Sequence, residues 1–384
     1  MEVKYFNNLK NIKIKIFQKS GFVGGAEVNL HRWVKYFQDQ FGIDFSFCGP
    51  GEGLFFDWLK KDGYECSYSS LPDWRKGKNF FSRYLAQVNL LKIFKNKKID
   101  LIFSNDFFYA PYAVYLGQKL GVPVVIHVQS DCDEKRISQY QLNRADGVIV
   151  TTESTYLKLA GKLNEALLVK IPCGVEKPTL NSFVKKKIKK SSNTVFGIAS
   201  NVLPHKGIDF FISLIELLKE SENWEIIWVG GDPQGKVDSL KEKVSSLGLS
   251  DRVTFLGFRE DMDDFYSSID CLIHPAQFEP FGIVLIEAMS HGLPVISTNT
   301  SGGWEILGDI DAGQWLVPLD GWKEMGEKMI QLIQKTYQER EQIGYFFYEK
   351  YKNQYTLEVS MNKMEHFFSR IIEKRSKGIL SKLT

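Results

Sequence analysis

Two glutamates eight positions apart, Glu279 and Glu287, are the side chains of this chain best spaced to do chemistry together. They frame the run Glu279-Pro280-Phe281-Gly282-Ile283-Val284-Leu285-Ile286-Glu287. Pro280 suits the first position of a helix, where its missing N–H costs nothing. A helix from Pro280 through Glu287 to about His291 would stop at Gly292-Leu293-Pro294. Gly282 removes a side chain at the helix start, so a ligand can approach the first-turn N–H groups around Phe281, Gly282, Ile283 and Val284. Those groups and the helix dipole favour phosphate. The two carboxylates, at most about 12 Å apart along the helix, can accept hydroxyl hydrogen bonds on either side of it. A sugar–diphosphate–ribose ligand has that layout. On spacing alone, a capping glutamate plus a solvated helix glutamate is an equally good reading. The neighbouring Gly292-Leu293-Pro294-Val295-Ile296 and Ser301-Gly302-Gly303 favour the ligand site.

Other residues could serve the same ligand. Lys206 stands beside Gly207 at a predicted helix start, a point charge suited to a diphosphate. Gly24 and Gly25 lie in a glycine-rich turn between a first strand and a first helix, where α/β sheets bind phosphates. That turn is neither Gly-x-Gly-x-x-Gly nor a Walker loop, and by itself a tight structural turn explains it as well. His127 ends the apolar strand Pro123–Val128, and a polar side chain at such a strand end points into the ligand crevice of a parallel sheet. Asp131-Cys132-Asp133-Glu134 reads as a polar loop and helix start, and Asp261 to Asp264 as a helix N-terminus. Neither is read as a metal site.

The elements that must position these residues alternate strand and helix. Strands are expected at Ile12–Phe17, Asp44–Cys48, Tyr64–Tyr68, Asp100–Ser104, Val122–Val128, Gly147–Thr151 and Leu167–Ile171, with helical patterns between. A second series begins with Thr194–Ala199 and Trp224–Gly230 and continues through Asp270–Ile273 and Leu293–Ser297. The predicted fold class is α/β, two Rossmann-like doubly wound lobes. The predicted domains are residues 1–175, a lysine-rich linker 176–193, residues 194–343, and a helical tail 344–384. The 384 residues suit two domains rather than one.

The stretch from Ile273 to Trp304 resembles the donor-binding signature of the retaining glycosyltransferases of family four, which have the GT-B fold. The family pattern is two glutamates with seven residues between, as Glu-x-Phe-Gly…Glu-Ala-x-x-x-Gly-x-Pro-Val. The resemblance implies two lobes facing each other across a cleft, with the acceptor on the first, the nucleotide sugar on the second, and a last helix crossing back to the first. It implies that Glu279 holds the donor sugar, Glu287 the ribose, and Lys206 the diphosphate. Gly24 and Gly25 would lie against the donor, and His127 near the reacting sugar. Ile171-Pro172-Cys173-Gly174-Val175-Glu176 resembles the family's Pro-x-Gly-Val-Asp, and Phe258-Arg259 the loop that reads the base. The arginine that the family carries in the Lys206 loop is absent. Asn201 and Leu203 occupy its place, and Lys206 must carry more of the diphosphate charge.

Composition bounds the rest. With 43% hydrophobic and 25% charged residues the chain has a soluble globular balance. No run approaches the roughly 18 apolar residues of a membrane span, and the N-terminus shows no signal-peptide core. The five cysteines are scattered and read as buried thiols of a reducing cytoplasm. Residues 1–175 carry a net +7 and residues 191–345 a net −13. The basic half attracts either the acidic half or an anionic partner. Trp74, Phe80 and Phe81, interleaved with Arg75, Lys76, Lys78 and Arg83, read by default as a solvated loop, and the alternative is a contact with an anionic membrane surface or an anionic acceptor. The run Lys185–Lys190 is read as part of a solvated linker and not as a nucleic-acid site.

The function expected is a retaining, metal-independent glycosyltransferase without cofactor. It would move a sugar from a UDP- or GDP-type nucleotide sugar to a hydroxyl of a glycan or lipid-linked acceptor, in cell-surface polysaccharide or glycolipid assembly. Its expected place is the cytoplasm, peripheral on the inner face of the membrane. The alternatives are a glycosidase using the glutamate pair, a nicotinamide dehydrogenase using the Gly-Gly turn, and a non-catalytic nucleotide-sugar-binding partner. The missing Gly-x-Gly-x-x-Gly weighs against the dehydrogenase.

Overall fold

A computed structural model describes residues 9–69, 71–74, 80–163, 168–178, 193–309 and 313–383. The chain divides into two compact units. One holds residues 1–173 and 358–384, the other residues 174–357.

The first unit is built on a parallel sheet of seven strands in the order β3-β2-β1-β4-β5-β6-β7. These are β1 Lys13–Phe17, β2 Asp44–Gly49, β3 Glu65–Tyr68, β4 Leu101–Ser104, β5 Val124–Val128, β6 Gly147–Val150 and β7 Leu168–Lys170. Strands β4, β5 and β6 are buried along their whole length, as expected of parallel strands covered on both faces. The helices are α1 Gly25–Phe41, α2 Leu54–Lys61, α3 Phe80–Phe94, α4 Ala110–Leu120, α5 Glu134–Gln139 and α6 Glu153–Leu159. The sheet winds outward both ways from β1 and β4. Its crevice therefore opens at the carboxyl ends of that pair, where the Gly24 turn lies.

Lysines alternate along β1, but they do not mark a solvated face. Lys15 is only 1% exposed, and its Nζ has no hydrogen-bond partner and lies 4.8 Å from the Phe94 ring centre. Burial lowers its pKa to about 8.

The second unit repeats the plan with six parallel strands in the order β10-β9-β8-β11-β12-β13. They are β8 Thr194–Ala199, β9 Trp224–Val229, β10 Val253–Gly257, β11 Cys271–His274, β12 Val295–Thr298 and β13 Leu316–Val317. Its helices are α7 Ile208–Leu217, α8 Val237–Ser246, α9 Asp263–Ser268, α10 Ile283–Ser290, α11 Ser301–Leu307, α12 Trp322–Gln334 and α13 Tyr337–Gln354. Here the winding reverses between β8 and β11.

The last helix, α14 Leu357–Leu383, is part of the first unit's core. Its Phe368 ring lies about 6 Å from Trp33, Phe37 and Phe103. A side chain on Gly147 would meet the Phe367 ring at 2.5 Å, so the helix sits where β6 has none. Helix α13 stays with the second unit. A side chain on Gly344 would meet the Gly292 carbonyl oxygen at 2.0 Å. The two places where the chain passes between units are bonded together, Leu357 N–H donating to Val175 O at 2.8 Å.

Candidate functional site

Lys206 and Glu279 come from loops 73 residues apart and meet at the winding reversal of the second sheet, Lys206 after β8 and Glu279 after β11. Crevices of this kind bind ligands in open α/β sheets. The backbone brings the loops together. The Gln277 N–H donates to His205 O at 2.9 Å, and Gly207, at φ +90°, leaves no room for a Cβ, which would meet Pro275 O at 2.1 Å. From the other side, Gly302 N–H donates to Glu279 O at 3.0 Å. A side chain on Gly302 would strike Phe281 O at 2.2 Å. Gly207 and Gly302 are thus points where backbones touch.

The result is a close charge cluster. Lys206 Nζ lies 2.8 Å from Glu279 Oε2, and their side chains are 19% and 14% exposed. His274, at the end of β11 and 1% exposed, has its Nε2 3.3 Å from the same oxygen, off the line of a hydrogen bond. Burial works to raise the Glu279 pKa, but His274 and Lys206 outweigh it and hold the carboxyl down to about 2. Glu279 is therefore ionised throughout the physiological range. Its stem rests on Gly282, whose missing Cβ would lie 3.3 Å from Glu279 Cγ. Gly282, at φ +90°, precedes α10, and no side chain caps that helix. The pair thus stands beside the uncapped N–H groups of Ile283 and Val284.

The helix begins at Ile283, three residues after the Pro280 start expected from the sequence. Gly282 takes a left-handed turn that a continuous helix from Pro280 cannot contain, and Phe281 is buried before it. Glu287 lies on the second turn of α10 and accepts a hydrogen bond from the Tyr266 hydroxyl at 2.8 Å. Asn201 Oδ1 accepts from Gly231 N–H at 2.9 Å, which fixes the loop after β9. Phe258 and Arg259 follow β10 and are exposed. All of these lie at the carboxyl edge of the second sheet except Glu287 and Tyr266, which approach it from α10 and α9.

His274 and Tyr266 were not picked out in the sequence. His274 carries the same signal as His127, a polar side chain closing an apolar strand. Tyr266 carries none, since its partner is 21 residues away.

The first unit holds Gly24 and Gly25 through a buried polar network. Gly24 N–H donates to Glu27 Oε2 at 3.1 Å, Gln18 Nε2 to Glu27 Oε1 at 2.9 Å, and Asn105 Nδ2 to Gln18 Oε1 at 2.8 Å. His127 is a correction. Its ring is 2% exposed, edge-on to Phe103 at 6.0 Å, with Nδ1 unpartnered, and burial drives its pKa down to about 3. It packs on Phe103, which in turn packs on the Phe368 of α14. Among the described residues no three His, Cys, Asp or Glu side chains gather as a metal site, and no helix is long and apolar enough to cross a membrane. Arg75, Lys76, Lys78 and the linker run Lys185–Lys190 lie outside the described residues.

Residues 181–350 match the family model for glycosyl transferases group 1, and residues 23–177 that for glycosyltransferase family 4. The chain belongs to the group 1 glycosyltransferases. It is 28% identical over 243 residues to the uncharacterized glycosyltransferase YqgM of Bacillus subtilis, covering 58% of this chain and 66% of that one. It is 31% identical over 181 residues to the lipopolysaccharide core biosynthesis mannosyltransferase LpsB of Rhizobium meliloti, covering 44% and 50%. The matched stretches thus span about half to two thirds of these relatives' lengths. The fold is GT-B. Anabaena HepE, solved in complex with UDP and glucose, superimposes with a TM-score of 0.77 at 20% identity, over 94% of this chain and 100% of that one.

Proposed function

We propose that this group 1 glycosyltransferase moves a sugar, with retention of anomeric configuration and without a metal, from a UDP- or GDP-type nucleotide sugar to a hydroxyl of a glycan or lipid-linked acceptor. The observation that carries this is the Lys206–Glu279 pair at 2.8 Å beside the uncapped start of α10. A departing diphosphate develops negative charge, and a fixed ammonium with oriented N–H groups stabilises it where it forms. On donor binding, Lys206 turns its charge to the phosphates and Glu279 Oε2 accepts hydroxyl hydrogen bonds from the sugar. Glu287, oriented by Tyr266, takes the ribose hydroxyls. Asn201 replaces the family's arginine and is already bonded to Gly231, which leaves Lys206 as the main cation of its loop. Phe258 and Arg259 take the base.

The relatives support a role in surface glycan assembly, since LpsB and the 35%-identical WaaG of Escherichia coli act in or on lipopolysaccharide by name. The protein works in the cytoplasm, on the inner face of the membrane. Helix α3 supports this, with Phe80 81%, Phe81 71% and Tyr84 56% exposed at its start.

A thermal-shift screen with UDP, GDP, ADP and CMP, followed by the sugars of whichever nucleotide stabilises the protein, identifies the donor. NMR of the anomeric proton of the product then reads the stereochemistry. Stabilisation by a nucleotide diphosphate followed by a retained anomer is expected. An inverted product contradicts retention. Binding of a nucleotide sugar with no turnover in a membrane extract favours the non-catalytic binding partner, the reading to which the missing arginine points.

A further inference from the structure

At the edge of the second unit opposite Glu279, where the chain enters β11 and β12, a cavity of about 520 Å³ opens between Asp270, Gly292 and Pro294 and the first turns of α13. Its size is that of a small-ligand site. Helix α13 presents two faces. Gly344, Phe347 and Tyr351 are buried in the unit. Tyr337, Glu341, Tyr345 and Tyr348, spaced at helical intervals, line the cavity instead. Tyr337 is 38% and Tyr345 60% exposed, so these rings are not consumed by the core. Arg340 joins them. Its Nη1 donates to Leu332 O at 3.0 Å and holds the end of α12, while its Nε is buried with no hydrogen-bond partner.

The lining selects a chemical class. The carboxylates of Asp270 and Glu341, against the Arg340 guanidinium and the His291 imidazole, leave no net positive charge to favour a phosphate or sulfate. The charged groups disfavour a purely apolar ligand. Tyrosine faces with a few carboxylate and guanidinium groups fit a neutral polyol, whose ring C–H faces stack on aromatics and whose hydroxyls both donate and accept. We infer that this cavity is a saccharide-binding site for about two pyranose rings of a neutral glycan, separate from the Lys206–Glu279 site. The assignment rests on the lining and not on the transfer reaction. In a glycosyltransferase such a site would hold a glycan segment beyond the one being extended.

Saturation-transfer NMR on the full chain tests it, with maltotriose, cellotriose and mannotriose as probes, each with and without saturating UDP. At least one trisaccharide should bind, unaffected by UDP. Tyr345→Ala, at an exposed position, should weaken that binding by about tenfold, and Tyr345→Phe should retain it. Binding of none of the three, binding unchanged in Tyr345→Ala, or displacement by UDP would each overturn the assignment. Trisaccharide binding through Tyr345 in a protein that binds no nucleotide diphosphate would leave this site standing and remove the proposed donor site.

Discussion

Glu279 keeps its charge in a buried place because two neighbours share one of its oxygens. Its pKa of about 2 lies below the ordinary unfolded value of about 4.3. The stability it contributes is therefore present above pH ~4.3 and is lost as the pH falls towards 2. Between pH 5 and 3 the urea midpoint of the wild type should drop further than that of Glu279→Gln. Parallel curves would show that the carboxylate is not held by its neighbours. The two glutamates should also differ in kind. Glu287→Ala should weaken binding of the nucleotide diphosphate, about tenfold for a lost pair of ribose hydrogen bonds. Glu279→Ala should lower turnover with the diphosphate still bound. Equal loss of affinity in both, by calorimetry, contradicts the assignment. Glu279, Glu287 and Lys206 could be singled out in the sequence because each lies in a short string whose glycines and prolines signal a turn. Their partners could not. The Lys206–Glu279 and Tyr266–Glu287 contacts join separate loops and helices, and the ring against His127 is Phe103 of the neighbouring strand β4.

At the scale of elements, the strands and their parallel order could be expected from apolar runs separated by helical patterns. The pattern does not tell which faces are wet. In an antiparallel sheet the alternation of lysine and isoleucine along β1 would mean one solvated face. In a doubly wound parallel sheet both faces are covered, and Lys15 is enclosed. Its folded pKa of about 8 lies below the unfolded value of about 10.4. The resulting penalty is complete below pH 8 and fades as the pH rises towards 10.4. Lys15→Met should therefore stabilise the protein at pH 7, by on the order of 2–3 kcal/mol, and by less at pH 10. Chemical denaturation at the two pH values measures this, and a destabilised or pH-independent variant contradicts it. The start of α10 was misjudged. Pro280 fits a helix start locally, but Gly302 presses on Phe281 from another loop and moves the start past the left-handed Gly282.

For the whole molecule, two α/β lobes were legible because the strand–helix alternation runs through the chain twice. That the last helix belongs with the first unit was expected from the family resemblance, but the start of the tail was not: it was placed at residue 344, which lies inside α13, and only tertiary contact divides the two helices. Helix α13 belongs with the second unit and α14 with the first. The charge asymmetry, +7 over residues 1–175 against −13 over residues 191–345, adds to the exposed aromatics of α3. An acidic donor-side lobe needs only a local cation for its anionic ligand, so the basic excess has another use. Each basic residue near an anionic surface contributes about 1 kcal/mol. The protein should co-sediment with anionic but not neutral vesicles, less so in high salt, and Phe80→Ser with Phe81→Ser should reduce the bound fraction several-fold. Equal partition to both vesicle types, or none to either, contradicts membrane docking through α3.

The central claim is that Lys206 and the start of α10 seat a nucleotide diphosphate. Calorimetric titration of UDP and GDP into the full chain, as wild type, Lys206→Ala and Lys206→Arg, tests it most directly. One of the two nucleotides should bind the wild type with one-to-one stoichiometry, about tenfold or more weaker to Lys206→Ala, with Lys206→Arg in between. Binding of neither nucleotide, or affinity for Lys206→Ala within twofold of the wild type, would contradict it.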